Sequence, residues 1–416
     1  MGDGPEKQGQ GQGQGQRQEP QHQDQDQHRL TVKVGLVTIA REWGRIGCVG
    51  FGGPPTHIAL LRQLCVERRG WIGAAEFEDA VAVTNLLPGP ASTQLAIFTA
   101  RRLHGPVGAL VGGFCFIVPG LVLILVLAAL FLAGSPPLWV RGAAAGAGAA
   151  VAAVAVRAAV ALVPASWQRA GVARSARTRW LVYVCGGAVA ALAGPWLVLA
   201  LIAAGCVESA IRTRSAAEPG RATARTWPLP LVLATGPAAA GGLLALAWVA
   251  FKVGALSYGG GFVIIPLMQA DAVDQHHWMT DGQFLNAVAL GQITPGPVVQ
   301  TVAVVGYAAG GIPGGLLAAA VAFAPSFLFV ILGGPHFDKI RANDRVQGFF
   351  TGAGPAVIGA IAGSAIPLAL ALQHAWQFAV LGGAAMWLVA ARRGVVSTLL
   401  AAAALGMVAA AAGWPT

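Results

Sequence analysis

The chain has 416 residues, of which 56% are apolar and only 11% are charged, with a formal net charge of +10. Ordinary soluble domains are about 25% charged, so the composition excludes a typical soluble enzyme, a disordered protein and a disulfide-rich scaffold. Several apolar runs reach the roughly 20 residues that a helix needs to cross a bilayer. The predicted fold class is therefore an all-α, polytopic helical membrane protein.

The chain begins with a low-complexity, Gln-rich tail over residues 1–30, which has too few apolar residues to form a core. We expect this tail to be disordered and cytoplasmic. The excess of basic over acidic residues lies in short Arg-rich loops between apolar runs. This pattern is typical of cytoplasmic loops rather than of nucleic-acid binding. The predicted units are a first repeat at 31–210, a basic cytoplasmic linker at 211–228 and a second repeat at 229–416.

Each repeat is expected to combine helices that are too short to cross a bilayer with longer apolar spans. In the first repeat we expect a helix at 32–50, an amphipathic stretch at 56–68, short helices at 76–87 and 91–102, and spans at 107–133, 138–163, 180–193 and 195–210. In the second we expect an apolar run at 229–257, a short-helix pair at 283–308, and spans at 314–333, 346–371, 375–391 and 395–412.

The two repeats align when the sequence is shifted on itself by 207 positions. The shift places Gly47 on Gly254, the Phe-Gly-Gly at 51–53 on the Tyr-Gly-Gly at 258–260, and the Pro-Gly-Pro at 88–90 on the one at 295–297. No gap is needed over about sixty positions. Chance does not align glycine and proline in this way, so we infer a two-fold internal repeat.

The basic loops indicate opposite orientations for the two repeats. Arg101 and Arg102 correspond to Ala308 and Ala309, whereas the basic stretch 339–345 corresponds to an uncharged stretch of the first repeat. Because basic loops stay in the cytoplasm, equivalent loops would lie on opposite faces of the membrane. This predicts an inverted-topology repeat, as in many secondary transporters; two parallel halves whose charges have drifted apart remain the alternative.

Glycine and proline interrupt the apolar helices at matched places in the two repeats. Such breaks are tolerated in a bilayer where the freed backbone groups face protein or a cavity. A broken or re-entrant half-helix also presents a free N-terminus, which attracts anions. Matched interruptions therefore point to a transport site, although kinks that allow close packing would leave the same pattern.

Neutral hydrogen-bonding side chains flank the breaks, and each repeat has one cation at the same position before its Gly-Gly. A charge inside an apolar run is costly and is a candidate for function; the alternative is snorkelling to the interface. The sequence has no nucleotide-binding loop and no spacing typical of metal ligands, so no catalytic residue, metal or cofactor is predicted. The predicted substrate-binding residues are Arg45, Gly52, Gly53, Asn85, Pro88, Gly89, Pro90, Ser92, Thr93, Gln94, Lys252, Gly259, Gly260, Gln292, Thr294, Pro295, Gly296, Pro297, Gln300 and Thr301.

The motifs FGGPPTHIALL, LLPGPASTQLAIF, SYGGGFVIIPLMQADAV and GQITPGPVVQT resemble the signatures of the two halves of the long-chain chromate transporter family. The resemblance is strong over 34–120 and 249–333. It implies a multi-pass protein of the bacterial inner membrane that exports chromate, driven by the membrane potential or a proton gradient. Arg101 and Ala91 depart from the family pattern, which leaves the anion preference open.

Two alternatives to chromate export stay open at this point. One is a carrier of sulfate or another oxyanion, and the other is a membrane enzyme that acts on a lipid phosphate. The scarcity of Asp, Glu and His within the apolar runs argues against the enzyme, which would need a nucleophile or an acid–base pair. The expected partners are an oxyanion and the lipid bilayer, with a homodimer as the assembly considered and no nucleic acid.

Overall fold

A computed structural model describes residues 33–85, 87, 89–192, 197–216, 242–257, 264–333 and 343–415. The tail 1–30, most of the predicted linker and the predicted site residues Pro88, Gly259 and Gly260 lie outside the described residues. The regular elements of the described residues are all helical, which confirms the all-α fold class.

The described helices follow the same order in both halves. In the first half they are α1 (Leu36–Val49), α2 (Pro54–Arg62), α3 (Ala74–Thr84), α4 (Ala91–Phe131), α5 (Leu138–Ala170), α6 (Arg174–Leu192) and α7 (Leu197–Ala216). In the second half they are α8 (Leu243–Leu256), α9 (Ile264–Gln269), α10 (Asp281–Ile293), α11 (Thr301–Gly333), α12 (Asp344–Leu370), α13 (Ala375–Val389) and α14 (Val395–Ala411). Helices α2 and α9 each continue into a six-residue π-helical segment, Gln63–Arg68 and Ala270–Gln275.

Four helical segments of the described chain are long and apolar enough to cross a membrane. They are Ala91–Phe131, Leu138–Ala170, Val298–Gly333 and Asp344–Leu370. They occupy equivalent places in the two halves, as α4 and α5 and as α11 and α12. The chain is therefore a multi-pass membrane protein.

Helix α4 reverses its direction at His104 and Gly105, which have non-helical backbone angles. A Cβ added to Gly108 would lie 2.5 Å from the Ala100 carbonyl oxygen, and one added to Gly112 would touch the Ala100 side chain. In a straight helix these residues would be about 12 Å or more apart. The chain therefore folds back into a short arm, α4a (91–103), and a long arm, α4b (106–131).

Helix α11 has the same reversal at Gly310 and Gly311. A Cβ on Gly306 would lie 2.5 Å from the Gly314 carbonyl oxygen. The arms are α11a (301–309) and α11b (312–333). The short helices predicted at 91–102 and within 283–308, and the spans predicted at 107–133 and 314–333, are thus confirmed.

The two reversals also correct the predicted alignment of the halves. The Pro-Gly-Pro motifs differ by 207 positions, whereas the reversals at 104–105 and 310–311 differ by 206. The prediction of an alignment without gaps is therefore wrong by one residue. The reason is local: α4 begins directly after Pro90, whereas a 3-10 turn, Val298–Gln300, precedes α11. A 3-10 turn is more extended than an α-helix, so the second half reaches its reversal with one residue fewer.

Ion pairs hold the short helices of the first half together as two hairpins. Arg69, just after the π-helical segment of α2, binds Glu42 of α1 at 3.2 Å, so α1 and α2 are the arms of one hairpin. Arg102, at the end of α4a, pairs with Glu76 at the start of α3, which makes α3 and α4a the second. The first Gly-Gly and Pro-Gly-Pro breaks lie at the ends of these hairpins. We call these breaks, and the equivalent Pro-Gly-Pro between α10 and α11, the hairpin tips.

The long arms α4b and α11b pack against each other in opposite directions. A Cβ on Gly113 would touch the Phe327 ring, while a Cβ on Gly315 would lie 2.5 Å from Leu125 Cδ2. The two arms are therefore antiparallel. The halves also interlock at their ends, because α5 packs on α14 through Gly142 and α12 packs on α7 through Gly352.

Candidate functional site

Glycine forms the hairpin tips because the chain there adopts positive φ angles. Gly52 and Gly53 have φ angles of 99° and 76°, and Gly89 and Gly296 have 123° and 102°. Residues with a Cβ rarely adopt such angles, whereas glycine does so without steric cost. Proline follows at Pro54 and Pro90, where the next helices begin.

Tips from the two halves meet directly. The backbone N–H of Gly296, in the second Pro-Gly-Pro, donates a hydrogen bond to the carbonyl oxygen of Gly50 at 3.0 Å. A Cβ on Gly53 would lie 3.5 Å from Val298 Cγ2. The first Gly-Gly break and the second Pro-Gly-Pro break are therefore in direct contact, which the sequence did not predict.

Each Pro-Gly-Pro tip also packs against the long arm of the opposite half. A Cβ on Gly89 would lie 3.2 Å from Ser326 Oγ of α11b. In the equivalent place, Gly120 of α4b leaves no room for a Cβ beside the Pro295 carbonyl oxygen and lies close to Gln300. The Gln300 side-chain amide donates to the Ile117 carbonyl oxygen at 2.8 Å.

Most of the predicted polar site residues are buried around these tips. Thr294 and Thr301 satisfy their hydroxyls within their own segments, by donating to Leu290 at 2.6 Å and to Val298 at 2.8 Å. The described residues offer no hydrogen-bond partner to Thr93 Oγ1, Gln292 Nε2 or Ser326 Oγ. The predicted site residues that are buried are Gly89, Pro90, Ser92, Thr93, Gln94, Gln292, Thr294, Pro295, Gly296, Pro297, Gln300 and Thr301.

The remaining polar residues of the predicted site are each held by a partner of their own. The Arg45 side chain is 51% exposed and pairs with Glu42 at 3.1 Å. Lys252 is largely buried, and its Nζ binds Asp271 Oδ1 at 2.7 Å. Asn85 is exposed and donates to the Val81 carbonyl oxygen at 2.9 Å. The matched cations of the two halves are thus held by different partners.

Two helix starts border a common cavity of about 810 Å³. Pro54 and Pro55 at the start of α2, Ala91 at the start of α4a, and Asn85 line one side of it. Residues of α5 and α12 line the other side, including Ser166. Backbone N–H groups at the start of a helix attract anions. Pro54 and Pro55 carry no N–H, so of the two helix starts only that of α4a offers such groups to the cavity.

Sequence reasoning did not assign three buried polar residues to the site. Ser326 lies in an apolar run with no matched polar residue in the other half, His57 Nε2 donates to the Gly50 carbonyl oxygen at 2.8 Å, and Asp271 binds Lys252. Asp271 alone carried a signal, as an acidic residue inside an apolar stretch. Within the described residues, no group of three metal-ligating side chains is brought together.

The chain is similar to proteins named as chromate transport proteins. Residues 37–207 and 244–411 match the family described as chromate transporter. A chromate transport protein of Cupriavidus metallidurans is 33% identical over 335 residues, which cover 78% of this chain and 80% of that protein. One of Pseudomonas aeruginosa is 32% identical over 339 residues, covering 78% and 79%.

A probable chromate transport protein of Synechococcus elongatus is 27% identical over 338 residues, which cover 79% of this chain and 84% of that protein. No solved structure matches the chain. The relatives are named as transport proteins, as expected for a chain with a membrane-spanning fold and no predicted catalytic residue. The family match extends over both halves, so the chain belongs to the chromate transporter family.

Proposed function

We propose that this protein exports chromate as a secondary-active transporter and that the buried hairpin tips bind the anion. The observation that carries the proposal is the pair of buried hydroxyls at the tips, Thr93 Oγ1 and Ser326 Oγ, which have no partner among the described residues. A buried polar group without a partner costs about 1–3 kcal/mol. An oxyanion that accepts hydrogen bonds from these hydroxyls would offset that cost.

The chemistry of the tips suits an anion that must also leave. The buried donors are uncharged, and the start of α4a adds backbone N–H groups beside the cavity. Neutral donors replace part of the hydration shell of an oxyanion without the strong attraction of a fixed positive charge. Such a site binds the anion and still allows its release.

An inverted topology is part of the proposal, and the packing of the long arms supports it. Two halves related by a two-fold axis in the membrane plane place equivalent spanning helices antiparallel, as α4b and α11b are. Following the described helices from Arg102 brings the basic residues Arg174, Arg345 and Arg393 to the same face. The positive-inside rule makes that face cytoplasmic. In this topology the hairpins of the two halves enter from opposite faces of the membrane, and the two halves rock around the site during transport.

Several finer features are retained as proposals. They are the bacterial inner membrane as the location, a homodimer as the assembly, and the repeat boundaries 31–210 and 229–416. Sulfate or another oxyanion as the main substrate is the second candidate function, because hydroxyl and amide donors recognise tetrahedral oxyanions in general. The relatives' names speak for transport rather than for an enzyme acting on a lipid phosphate.

The test is chromate accumulation by everted membrane vesicles that contain Thr93→Ala or Ser326→Ala. Both variants are expected to lose most of the transport seen with the wild type. Thr99→Ala is the matched control, because Thr99 is buried on the same arm but donates to the Leu95 carbonyl oxygen at 2.8 Å. Equal transport by all three variants would contradict the site, and stronger inhibition by sulfate than by unlabelled chromate would favour the second candidate.

A further inference from the structure

A buried ion pair joins α8 to the π-helical segment that follows α9. Lys252 Nζ lies 2.7 Å from Asp271 Oδ1, and the two side chains are only 15% and 8% exposed. Burying two charges is costly, and the cost is recovered only when they remain paired. Charged groups inside a membrane protein are for this reason candidates for ion or proton pathways.

The pair exists in only one half of the molecule. The residues that correspond to Lys252 and Asp271 under the shift of 207 positions are Arg45 and Leu64. Arg45 instead binds Glu42 on its own helix, with half of its side chain exposed. The first half therefore pairs its cation with Glu42 of the same helix, whose side chain is 14% exposed, and has Leu64 where the second half has Asp271. The internal symmetry of the fold does not explain a carboxylate at position 271.

The carboxylate competes with any anion for Lys252. An ammonium group that is bound to a carboxylate at 2.7 Å is already neutralised and adds little attraction for a second anion. Lys252 becomes free to attract an oxyanion when the Asp271 carboxylate takes up a proton. In that step Asp271 becomes a neutral carboxylic acid, and Lys252 keeps its own proton and charge.

We propose that Asp271 is the proton-binding group that couples proton movement to oxyanion transport, with one proton taken up for each anion bound beside Lys252. This inference rests on the proposed function, because it takes an oxyanion as the substrate. It assigns the coupling ion to one carboxyl group. It also gives the Lys252–Asp271 ion pair, which the first half lacks, a role in proton coupling.

Other titratable groups lie close to the pair and must be separated from it. On the same π-helical segment, burial and the neighbouring Asp281 raise the pKa of Asp274, while His277 opposes that rise. Asp281, at the start of α10, accepts a hydrogen bond from Gln269 at 3.4 Å. His276 lies at the end of the segment and stacks on Trp278. The described ion pair of Asp271 is with Lys252, which makes Asp274 the matched control.

The experiment compares chromate transport by the wild type, Asp271→Asn and Asp274→Asn in proteoliposomes at a series of pH values. For the wild type and Asp274→Asn, the apparent affinity is expected to rise by up to about tenfold for each unit by which the pH falls. Asp271→Asn is expected to transport chromate with an affinity that does not follow this rise. All three proteins meet the same protonation of chromate, so the difference between the profiles isolates Asp271.

A pH-sensitive dye inside the vesicles provides a second readout. Wild-type transport is expected to move protons together with chromate, and Asp271→Asn is expected to move chromate without them. Because Asp271→Asn leaves Lys252 unpaired, the double variant Lys252→Gln/Asp271→Asn, which buries no charge, serves if the single variant does not fold. It is expected to bind chromate weakly at every pH and to move no protons with it.

The outcomes distinguish this inference from the proposed function. Chromate transport by Asp271→Asn with the pH profile and proton movement of the wild type would overturn the role of Asp271. A pH-independent wild type would overturn it as well. Absence of chromate transport by the wild-type protein would instead overturn the proposed function on which the inference rests.

Discussion

At Gly120 the absence of a side chain decides whether the halves can meet. A Cβ there would overlap the Pro295 carbonyl oxygen and approach Gln300 Oε1 to 2.5 Å. Both atoms belong to the second Pro-Gly-Pro tip and its flanking turn. A backbone oxygen cannot move aside as a flexible side chain can, so this position couples the spanning arm α4b to the geometry of the tip.

We therefore expect Gly120→Ala to lower stability by about 1–3 kcal/mol, the typical cost of overfilling a packed site, and to remove most chromate transport. The measurements are the midpoint of thermal unfolding in detergent and transport into vesicles. Gly186→Ala is the control, since a Cβ on Gly186 meets nothing within 4 Å and alanine is the better helix former. Stability and transport equal to those of Gly186→Ala would contradict the close contact between Gly120 and the Pro295 carbonyl oxygen.

The residues at the tips show what sequence alone can and cannot reveal. Gly-Gly and Pro-Gly-Pro were found because glycine and proline constrain their own backbone, and their repetition marks the break. Ser326 was not assigned to the site, since its place beside Gly89 of the other half depends on segments far apart in the chain. Local chemistry is predictable from sequence, whereas contacts between halves are not.

At the scale of elements, the reversals in α4 and α11 separate a half-length arm from a spanning arm. Gly105 has φ 64° and ψ −157°, and Gly311 has φ 62° and ψ −154°. These angles lie in a region that is almost restricted to glycine. A Cβ on Gly105 meets nothing within 4 Å, so crowding does not explain the glycine there.

We expect Gly105→Ala and Gly311→Ala each to cost about 1–3 kcal/mol through backbone strain alone. The thermal unfolding midpoint in detergent measures this cost. Gly382→Ala is the control, because it also has free space within 4 Å but lies inside the regular helix α13. If all three substitutions had the same small effect, the chain would not need glycine to reverse at these positions.

The order of the helices was also predictable, with one error that has a physical cause. The half-length helices and the spans were identified because apolar runs and breaks define them. The alignment of the halves slipped by one residue, because the more extended 3-10 turn, Val298–Gln300, brings the second half to its reversal with one residue fewer than α4 uses. With this slip the predicted site residue Gln94 corresponds to Gln300, and each lies beside the glycine of its own Pro-Gly-Pro.

At the scale of the whole molecule, the two halves are interlocked and do not form separate domains. Helix α5 of the first half packs on α13 and α14 of the second, and α12 packs on α6 and α7. The proposed anion site lies where the tips of both halves meet, so neither half would contain it alone. Rocking of one half against the other would therefore change the site itself, as alternating access requires.

The inverted topology predicts that equivalent loops of the two halves lie on opposite faces of the membrane. Val172 follows α5 and Gln373 follows α12, so they hold equivalent positions in the two halves. In a variant without the five native cysteines, Gln373→Cys should react with a membrane-impermeant thiol reagent in intact cells, and Val172→Cys only after permeabilisation. Ser135→Cys, one span before Val172, is the control and should react like Gln373→Cys. The same response from Val172→Cys and Gln373→Cys would instead mean that the two halves run parallel through the membrane.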